Sequence, residues 1–383
     1  MLSSQATPDS GLEDLYRQCA VDTLEKIASG QSGTLRLSPN SIWLNISDNC
    51  NLKCVGCYSE GKFKKNYVPL EEIKKSIQFS GNIAEISFTT NEALLHPQFC
   101  EIIDMCRDMH PQAKLWVITN GTIPIKGRYK AAIAKLDKVG LSIDGASKET
   151  FENIRIGARF EDFINNTKAI IAIRNETGSP KEITFSFTAT STNLHELIDV
   201  VRLGHSLGVS DIWAQAMEAK DDVTAERISN ILIDTLSPER RTRLIDDARS
   251  EAARLGIGLY YSQGIYPPAP TATAPVTQPQ QEERSSTNEW HVKMCQYPWI
   301  RPVQISKGEG GYVVRPCCYI STTKTRLLAQ KYGLIFPEVL TGEEIYNSTQ
   351  LWQFRKDLVL GKTADVCADC NAARGFPWKP TMA

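Results

Sequence analysis

The segment Cys50-Asn51-Leu52-Lys53-Cys54-Val55-Gly56-Cys57-Tyr58 places three cysteines within eight residues, shortly after an apolar run at 42–47 that is typical of a buried strand. Three thiolates at this spacing can converge on one side of a loop, as an iron–sulfur cluster requires. Three protein ligands leave one iron of a four-iron cluster open. Because ligands of parallel α/β sheets bind at the carboxyl ends of the strands, we expect this iron to face the mouth of the fold.

A structural zinc site is the alternative for this loop. Structural zinc prefers a closed set of four ligands, and the nearest histidine, His96, follows a different predicted strand. The spacing favours an iron–sulfur cluster and leaves zinc open.

The sequence around this loop alternates strand-like and helix-like runs. Six strands are predicted, at 42–47, 84–90, 114–120, 139–144, 183–190 and 211–217. Because a helical period follows each of them, we expect parallel βα units with right-handed crossovers. Six units are fewer than the eight of a closed barrel. The predicted fold is therefore α/β, an open partial (β/α)6 TIM-like barrel.

Four segments are predicted along the chain. Residues 1–40 form an N-terminal extension with a helix, 41–262 the partial barrel, 263–290 a proline-rich linker and 291–383 a small α+β domain. A glycine-rich turn in the last segment predicts a β-hairpin over 302–315, and the spacing of Leu351, Phe354 and Leu358 predicts a helix.

The cysteine segment resembles the CxxxCxxC signature of the radical S-adenosylmethionine (SAM) enzymes. A second likeness lies in Ser87-Phe88-Thr89-Thr90-Asn91-Glu92-Ala93, at the end of the second predicted strand, where that superfamily carries a Gly-Gly-Glu-Pro-like motif. Glu92 is kept, whereas Asn91 and Ala93 depart from the usual glycine and proline.

The likeness extends to about residue 218. Leu141-Ser142-Ile143-Asp144-Gly145 resembles the family's SIDG stretch, and Arg155 stands where relatives often place an arginine near the SAM carboxylate. Tyr58 is common in the subgroup, whereas Gly56 replaces an aromatic residue or a histidine.

The resemblance implies how SAM binds and reacts. The open iron chelates the amino and carboxylate groups of SAM, and one-electron reduction yields methionine and a 5′-deoxyadenosyl radical that takes a hydrogen atom from the substrate. The resemblance implies that Glu92 and Asn91 bind the amino group of SAM and that Arg155 and Ser142 bind its carboxylate. It also places Asp144 at the ribose and Met217 near the adenine. An external donor such as flavodoxin or ferredoxin would supply the electron.

A second group of cysteines resembles the auxiliary-cluster domains called SPASM and twitch. Its members are Cys295, Cys317, Cys318, Cys367 and Cys370. Five cysteines are too few for two extra clusters, so the resemblance implies one twitch-like [4Fe-4S] cluster held by Cys295, Cys317, Cys367 and Cys370. In the family pattern the cysteine after proline is the ligand, which selects Cys317 over Cys318; Cys318 is a candidate hydrogen donor. A four-cysteine zinc ribbon is the alternative.

Composition excludes several classes of protein. The 383 residues include 43 Lys and Arg against 44 Asp and Glu, so no overall positive charge would hold nucleic acid. No apolar run approaches the roughly 20 residues of a membrane span, and no export signal is present, so we expect a cytoplasmic protein. Of the eleven cysteines, Cys19, Cys100 and Cys106 are predicted to be packed thiols.

The leading hypothesis is a radical SAM enzyme, with two [4Fe-4S] clusters and SAM, that dehydrogenates or epimerises a sugar, an aminocyclitol or a nucleoside-like intermediate of specialised metabolism. The alternative is crosslinking or epimerisation of a ribosomally made peptide. Residues 1–40 are short for a leader-peptide module, which favours a small substrate. An iron–sulfur electron carrier or a zinc-structured binding protein is the hypothesis from another class.

Overall fold

The computed structural model describes residues 21, 25–26, 41–57, 66–219, 222–262, 264–267, 290–294, 304–308, 311–315, 322–336, 340–359 and 374–378. The strands of the larger sheet are β1 (Ser41–Trp43), β2 (Glu85–Phe88), β3 (Lys114–Thr119), β4 (Lys138–Ser142), β5 (Glu182–Ala189), β6 (Asp211–Ala216) and β7 (Gly258–Tyr261). The helices between them are α1 (Leu70–Ser76), α2 (Phe99–Met109), α3 (Arg128–Ile133), α4 (Lys148–Ile154), α5 (Phe160–Thr177), α6 (Leu197–Leu207), α7 (Asp222–Ile228) and α8 (Pro238–Leu255).

The seven strands lie in one sheet in chain order, and β2 to β7 pair in parallel. Because β1 and β7 lie at opposite edges, the sheet is open, which confirms the predicted partial barrel. The predicted number of six strands was wrong. The seventh strand, β7, has only four residues and follows directly on the glycine-capped end of α8, so it gave no clear period-two signal.

The first predicted strand is shorter than expected. Leu44 N still donates to Ser87 O at 2.8 Å, but the chain beyond it pairs with residues 66–68 instead of continuing along β2. Val68 N donates to Ile46 O and Asp48 N donates to Asn66 O. The cysteine loop therefore leaves the sheet just after β1.

The core lies between the helices and one face of the sheet. Phe88 of β2 contacts Phe99 of α2, and Phe185 of β5 contacts Phe163 of α5. All four rings are at most 1% exposed, and each contributes about 1.5–3 kcal/mol by burial. Cys100 and Cys106 of α2 are buried free thiols, as predicted.

The opposite face of the sheet is the inner face. Because side chains alternate along a strand, it carries the residues between those that pack on the helices. Its members in register are Ile118, Gly140 and Thr184 in one row and Ser142, Ser186, Trp213 and Tyr260 in the next. The inner face is therefore more polar than the helix-facing one.

Helix α8 has the residues at its two ends that make helix boundaries predictable from sequence. Ser237 accepts a hydrogen bond from Arg240 N at its start, Pro238 occupies the first turn, and Gly256 ends the helix in the left-handed region with φ 68°. Each is a local stop or start signal.

A second compact unit comprises residues 1–43, 74–84 and 273–383. Its described strands are β8 (Trp290–Met294), β9 (Gln304–Gly308), β10 (Gly311–Arg315), β11 (Ile335–Phe336) and β12 (Arg374–Trp378). Its helices are α9 (Thr322–Tyr332), α10 (Gly342–Tyr346) and α11 (Thr349–Val359). Strands β9 and β10 form the predicted hairpin, and α11 is the predicted helix with Leu351, Phe354 and Leu358 buried.

This unit packs the segment after α1 against its C-terminal helices. Phe79 packs on Tyr346 edge to face, and Ser80 donates through N and Oγ to the carboxylate of Glu343 at 2.8 and 2.7 Å. In the described part of the chain, no helix is both long enough and apolar enough to cross a bilayer.

Candidate functional site

The loop that carries Cys50, Cys54 and Cys57 is fastened to the segment that follows α4. Lys53 N donates to Ile156 O at 2.9 Å, and Val55 N donates to Ile154 O at 2.8 Å. All three cysteines are free thiols of intermediate exposure. The two backbone bonds fix the loop at the carboxyl edge of the sheet, where a ligand is expected.

Burial makes two of these thiols hard to ionise. Desolvation raises the pKa of Cys54 to about 11, against a lowering by the charge of Arg155. It also raises the pKa of Cys50, and the nearby Glu92 carboxylate adds to this effect. Because thiolates rather than thiols bind metal, loading a cluster here would release protons and compensate the buried charge. The donor set of three thiols suits an iron–sulfur cluster with one open iron.

Among the described residues, no group of three His, Cys, Asp or Glu side chains is arranged to hold a single metal ion. Structural zinc needs ligands that converge on one point, whereas each thiolate of a four-iron cluster binds a different iron. Zinc stays the alternative to an iron–sulfur cluster at the first cysteine group.

Gly56 packs against the side chain of Met217 more closely than any other residue would permit. Its φ is +76°, and a Cβ there would lie 2.6 Å from Met217 Sδ. The same loop is covered by α7, since Arg227 Nη2 donates to Cys57 O at 2.7 Å. Met217, expected near the adenine, thus lies against the cysteine loop.

Glu92 is the most buried charged group of the site. Its side chain has no exposure, and it accepts hydrogen bonds from Thr119 Oγ1 at 2.8 Å and from Asn120 N at 2.7 Å. Desolvation raises its pKa to about 7, although these hydrogen bonds and the charge of Arg155 oppose the shift. A cationic ligand group would stabilise the ionised form.

Asn91 adopts the left-handed region with φ 52°, which asparagine tolerates and which explains why the resemblance expects glycine at this position. Its Nδ2 donates to Ser47 O at 2.8 Å, so the structure shows this amide bound to the start of the cysteine loop.

Asp144 and Arg155 form a buried ion pair. Arg155 Nη2 lies 2.8 Å from Asp144 Oδ2, and Asp144 Oδ1 accepts from Thr188 N at 2.9 Å. Arg155 Nε is buried without a hydrogen-bond partner among the described residues. An unsatisfied buried donor of this kind fits an acceptor such as a ligand carboxylate. Ser142, at the end of β4, points to the inner face two residues before Asp144.

The structure therefore brings together most of the predicted residues of the first site. Cys54 interacts electrostatically with Cys50, Cys57, Asp144 and Arg155, and Glu92 interacts with Cys50 and Arg155. Asn91, Ser142 and Met217 lie in the described part of the chain as given above, whereas Tyr58, Cys295, Cys317, Cys318, Cys367 and Cys370 lie outside the described residues.

Three residues of the site were missed by sequence reasoning. Asn120 follows β3, with its Nδ2 3.9 Å from Cys50 Sγ and 2.8 Å from Asn51 Oδ1. Asn193 donates through Nδ2 to Asp144 O and Thr188 O, both at 2.9 Å. Glu196 accepts from Ala146 N, Ser147 N and Ser147 Oγ. The position of Asn120 directly after a strand was the one available signal.

Comparison with known proteins finds a matching family model and similar proteins. The model of the Radical SAM superfamily matches residues 44–203. A probable GTP 3′,8-cyclase of Methanocaldococcus jannaschii is 29% identical over 174 residues, which is 44% of this chain and 56% of that protein. One from Methanococcus maripaludis is 26% identical over 56% of this chain and 76% of that protein. The chain spans about half the length of the first of these relatives.

Solved structures show the same fold. Streptococcus suis SuiB bound to its precursor peptide SuiA superposes with a TM-score of 0.55 at 14% identity, over 79% of this chain and 64% of that one. The protein anSMEcpe with bound AdoMet and a peptide superposes with a TM-score of 0.53 at 17% identity, over 83% of each chain. At these identities the likeness concerns the fold alone.

Proposed function

We propose, from the premise that the chain carries a radical SAM domain over residues 44–203, that this protein is an enzyme that cleaves SAM reductively and removes a hydrogen atom from a small hydroxylated substrate. The observation that carries the proposal is the grouping of three free thiols, a buried carboxylate and a buried arginine with an unsatisfied donor at one edge of the sheet. When bound, the cluster and SAM supply the one-electron chemistry that breaks an unactivated C–H bond.

The chain's own residues would bind and orient the cofactors. Cys50, Cys54 and Cys57 would hold a [4Fe-4S] cluster and leave one iron without a protein ligand. Glu92 would accept from the amino group of SAM, and Arg155 would donate to its carboxylate. Gly56 and Met217 would form one side of the adenine subsite.

The geometry also keeps these charged groups preorganised. Glu92 is held by Thr119 and Asn120, and Arg155 is held by Asp144, so neither has to reorganise when SAM arrives. Both side chains are buried, so their charges act in surroundings of low dielectric constant.

A small substrate is favoured over a peptide by the relatives, which are named as enzymes acting on GTP. We propose a sugar, an aminocyclitol or a nucleoside-like compound, with dehydrogenation or epimerisation as the outcome. Peptide modification is the competing outcome; its support is a likeness of fold to proteins solved with peptides.

A second [4Fe-4S] cluster on Cys295, Cys317, Cys367 and Cys370 is part of the proposal. A fully ligated cluster has no open iron, so it would accept an electron from the substrate or brace the second unit. A flavodoxin or a ferredoxin would deliver the electron for SAM cleavage.

The test is anaerobic incubation of the reconstituted chain with SAM and dithionite, followed by chromatography of the products. We expect 5′-deoxyadenosine from the wild type and none from Cys54→Ala, because that variant loses a cluster ligand. The matched control is Cys106→Ala, which removes a buried thiol of α2 that no cluster uses. Failure of the reconstituted wild type to form 5′-deoxyadenosine would refute the proposal.

A further inference from the structure

The inner face of the sheet carries a row of side chains that the SAM chemistry does not use. Ser186, Trp213 and Tyr260 are neighbours in register on β5, β6 and β7, and Gln215 follows Trp213 on the same face. We call these four residues the inner row. Their places on three adjacent strands make them one continuous surface.

The inner row lies beside Ser142 and below Asp144, two of the predicted cofactor residues. Ser142 is the register neighbour of Ser186, and Asp144 follows two residues later, about 7 Å along the strand. Gln215 is the register neighbour of Thr188, whose N donates to Asp144 Oδ1. A compound held on the inner row would therefore lie within reach of a reactive group generated at the sheet edge, as hydrogen transfer requires.

The inner row is polar but uncharged. Ser186 and Tyr260 offer hydroxyls, Gln215 an amide and Trp213 an indole N–H, so all four can form hydrogen bonds to a ligand. The rings of Trp213 and Tyr260 stack at 4.9 Å with 25° between their planes, yet they are 44% and 37% exposed. Exposed stacked rings on an inner sheet face are apolar surface that a ligand can cover.

The cations nearest to the inner row are already paired. Lys138 Nζ lies 3.3 Å from Glu182 and 5.5 Å from the centre of the Trp213 ring. Arg155 is paired with Asp144. Among the described residues of the inner face, no lysine or arginine lies closer to the carboxyl ends of the strands than Lys138, so none is placed there to neutralise a triphosphate. Asp211, in the row below the inner row, adds a carboxylate to this face.

Gly140 of β4 allows the side chains around it to pack closely. It has no side chain, and a Cβ there would meet Ile118 at 3.2 Å and the hydroxyls of Ser186 and Thr184 at 3.6 Å. The row below Ser186 is therefore closely packed.

We propose that the inner row binds the substrate and selects an uncharged, polyhydroxylated ring of the hexose, cyclitol or nucleoside type. Ser186 and Gln215 would exchange hydrogen bonds with ring hydroxyls, and Trp213 with Tyr260 would cover the C–H face of the ring. The assignment rests on the proposed function, deepens its substrate class and predicts weaker binding of nucleoside triphosphates than of nucleosides.

The test is titration of tryptophan fluorescence in the reconstituted, anaerobic full chain. The probes are a panel of hexoses, cyclitols and nucleosides, with guanosine and GTP as a pair that differs only in the triphosphate. We expect saturable quenching by at least one uncharged ring compound, and weaker binding of GTP than of guanosine. Trp213→Ala should lower the affinity for the probe at least tenfold. The milder Ser186→Ala should lower it by about three- to tenfold.

The matched control is Trp116→Phe, another tryptophan of the inner face that lies in the row of Lys138, below the inner row. It should leave the affinity of the probe unchanged. Tighter binding of GTP than of guanosine, no binding of any uncharged ring, or affinities that ignore Trp213 and Ser186 would each overturn the assignment. Formation of 5′-deoxyadenosine in the same wild-type preparation separates this failure from a failure of the proposed function.

Discussion

Glu92 couples the stability of the site to pH. The folded protein holds this carboxyl's proton up to a pKa of about 7, whereas the unfolded chain releases it near the ordinary value of 4.5. The free energy of unfolding therefore falls by about 3 kcal/mol as the pH rises through that window. Above the window it no longer changes through this group.

Glu92→Gln should remove this dependence, because glutamine keeps the shape of the side chain but cannot ionise. Chemical denaturation of the cluster-free chains at a series of pH values measures the difference between wild type and variant. We expect the wild type to lose stability relative to the variant between pH 4.5 and pH 7. A difference that stays constant with pH would contradict the buried, hydrogen-bonded carboxyl.

Gly56 combines a positive φ with a close contact to a neighbouring side chain. Gly56→Ala should cost about 1–3 kcal/mol more than the same change at Gly127, because its Cβ would strike the Met217 thioether. Gly127 also has a positive φ, 57°, but no atom within 4 Å of its added Cβ, so it isolates the backbone strain. We expect Gly56→Ala alone to lower the iron content, measured after reconstitution. Equal effects of the two substitutions would contradict the close contact between Gly56 and Met217.

At the residue scale, the sequence predicts candidate ligands but not the residues that support them. The cysteines, Glu92, Asp144 and Arg155 belong to short motifs whose spacing carries the information. Asn120 and Asn193 act through hydrogen bonds to groups far away in the chain. Nothing in their immediate neighbours distinguishes them from ordinary loop asparagines.

The loop after β4 depends on an element distant in sequence. Glu196, in the turn before α6, accepts hydrogen bonds from Ala146 N, Ser147 N, Ser147 Oγ and Thr150 Oγ1. These bonds hold the start of α4, the helix that leads to Arg155.

Glu196→Gln should destabilise the protein by about 2 kcal/mol, because an amide NH2 cannot accept these bonds and leaves donors unsatisfied. SAM affinity, measured by anaerobic equilibrium dialysis, should fall while the cluster content stays constant. Glu149→Gln is the control, since Glu149 is an exposed residue of α4, the helix whose start Glu196 holds. An affinity for SAM equal to that of the control would show that Glu196 does not position the arginine.

At the element scale, long periodic segments were predictable and short ones were not. The start and end of α8 follow from Ser237, Pro238 and Gly256. Strand β7 was missed because four residues cannot establish a period, and β1 stops early because residues 46–48 pair with 66–68. Such pairing depends on tertiary structure, which overrides the local pattern.

At the scale of the whole molecule, the number of clusters is open to direct count. Two four-iron clusters predict about eight iron and eight sulfide per chain, one cluster about four of each, and a zinc ribbon in the C-terminal segment predicts zinc without extra sulfide. Cys367→Ala should lose about half of the iron, and Cys100→Ala, which removes a buried thiol of α2, should lose none. Full iron content in Cys367→Ala would remove the second cluster from the proposal.

The organisation of the second unit could not be derived from the sequence. Residues 74–84 lie between β1 and β2 in the chain, yet Ser80 binds Glu343 and Phe79 packs on Tyr346. A would-be Cβ on Gly342 would lie 2.2 Å from Ser76 O, so the contact depends on a glycine that no motif marked. Contacts between distant segments leave no periodic signal in either segment.

The central claim is that three thiolates hold a cluster whose open iron binds SAM. Electron paramagnetic resonance of the reduced, oxygen-free chain before and after addition of SAM tests it most directly. We expect a reduced-cluster signal whose g values change when SAM is added, and no such change in Cys54→Ala. A wild-type signal that is absent after reconstitution, or that SAM leaves unchanged, would contradict the account.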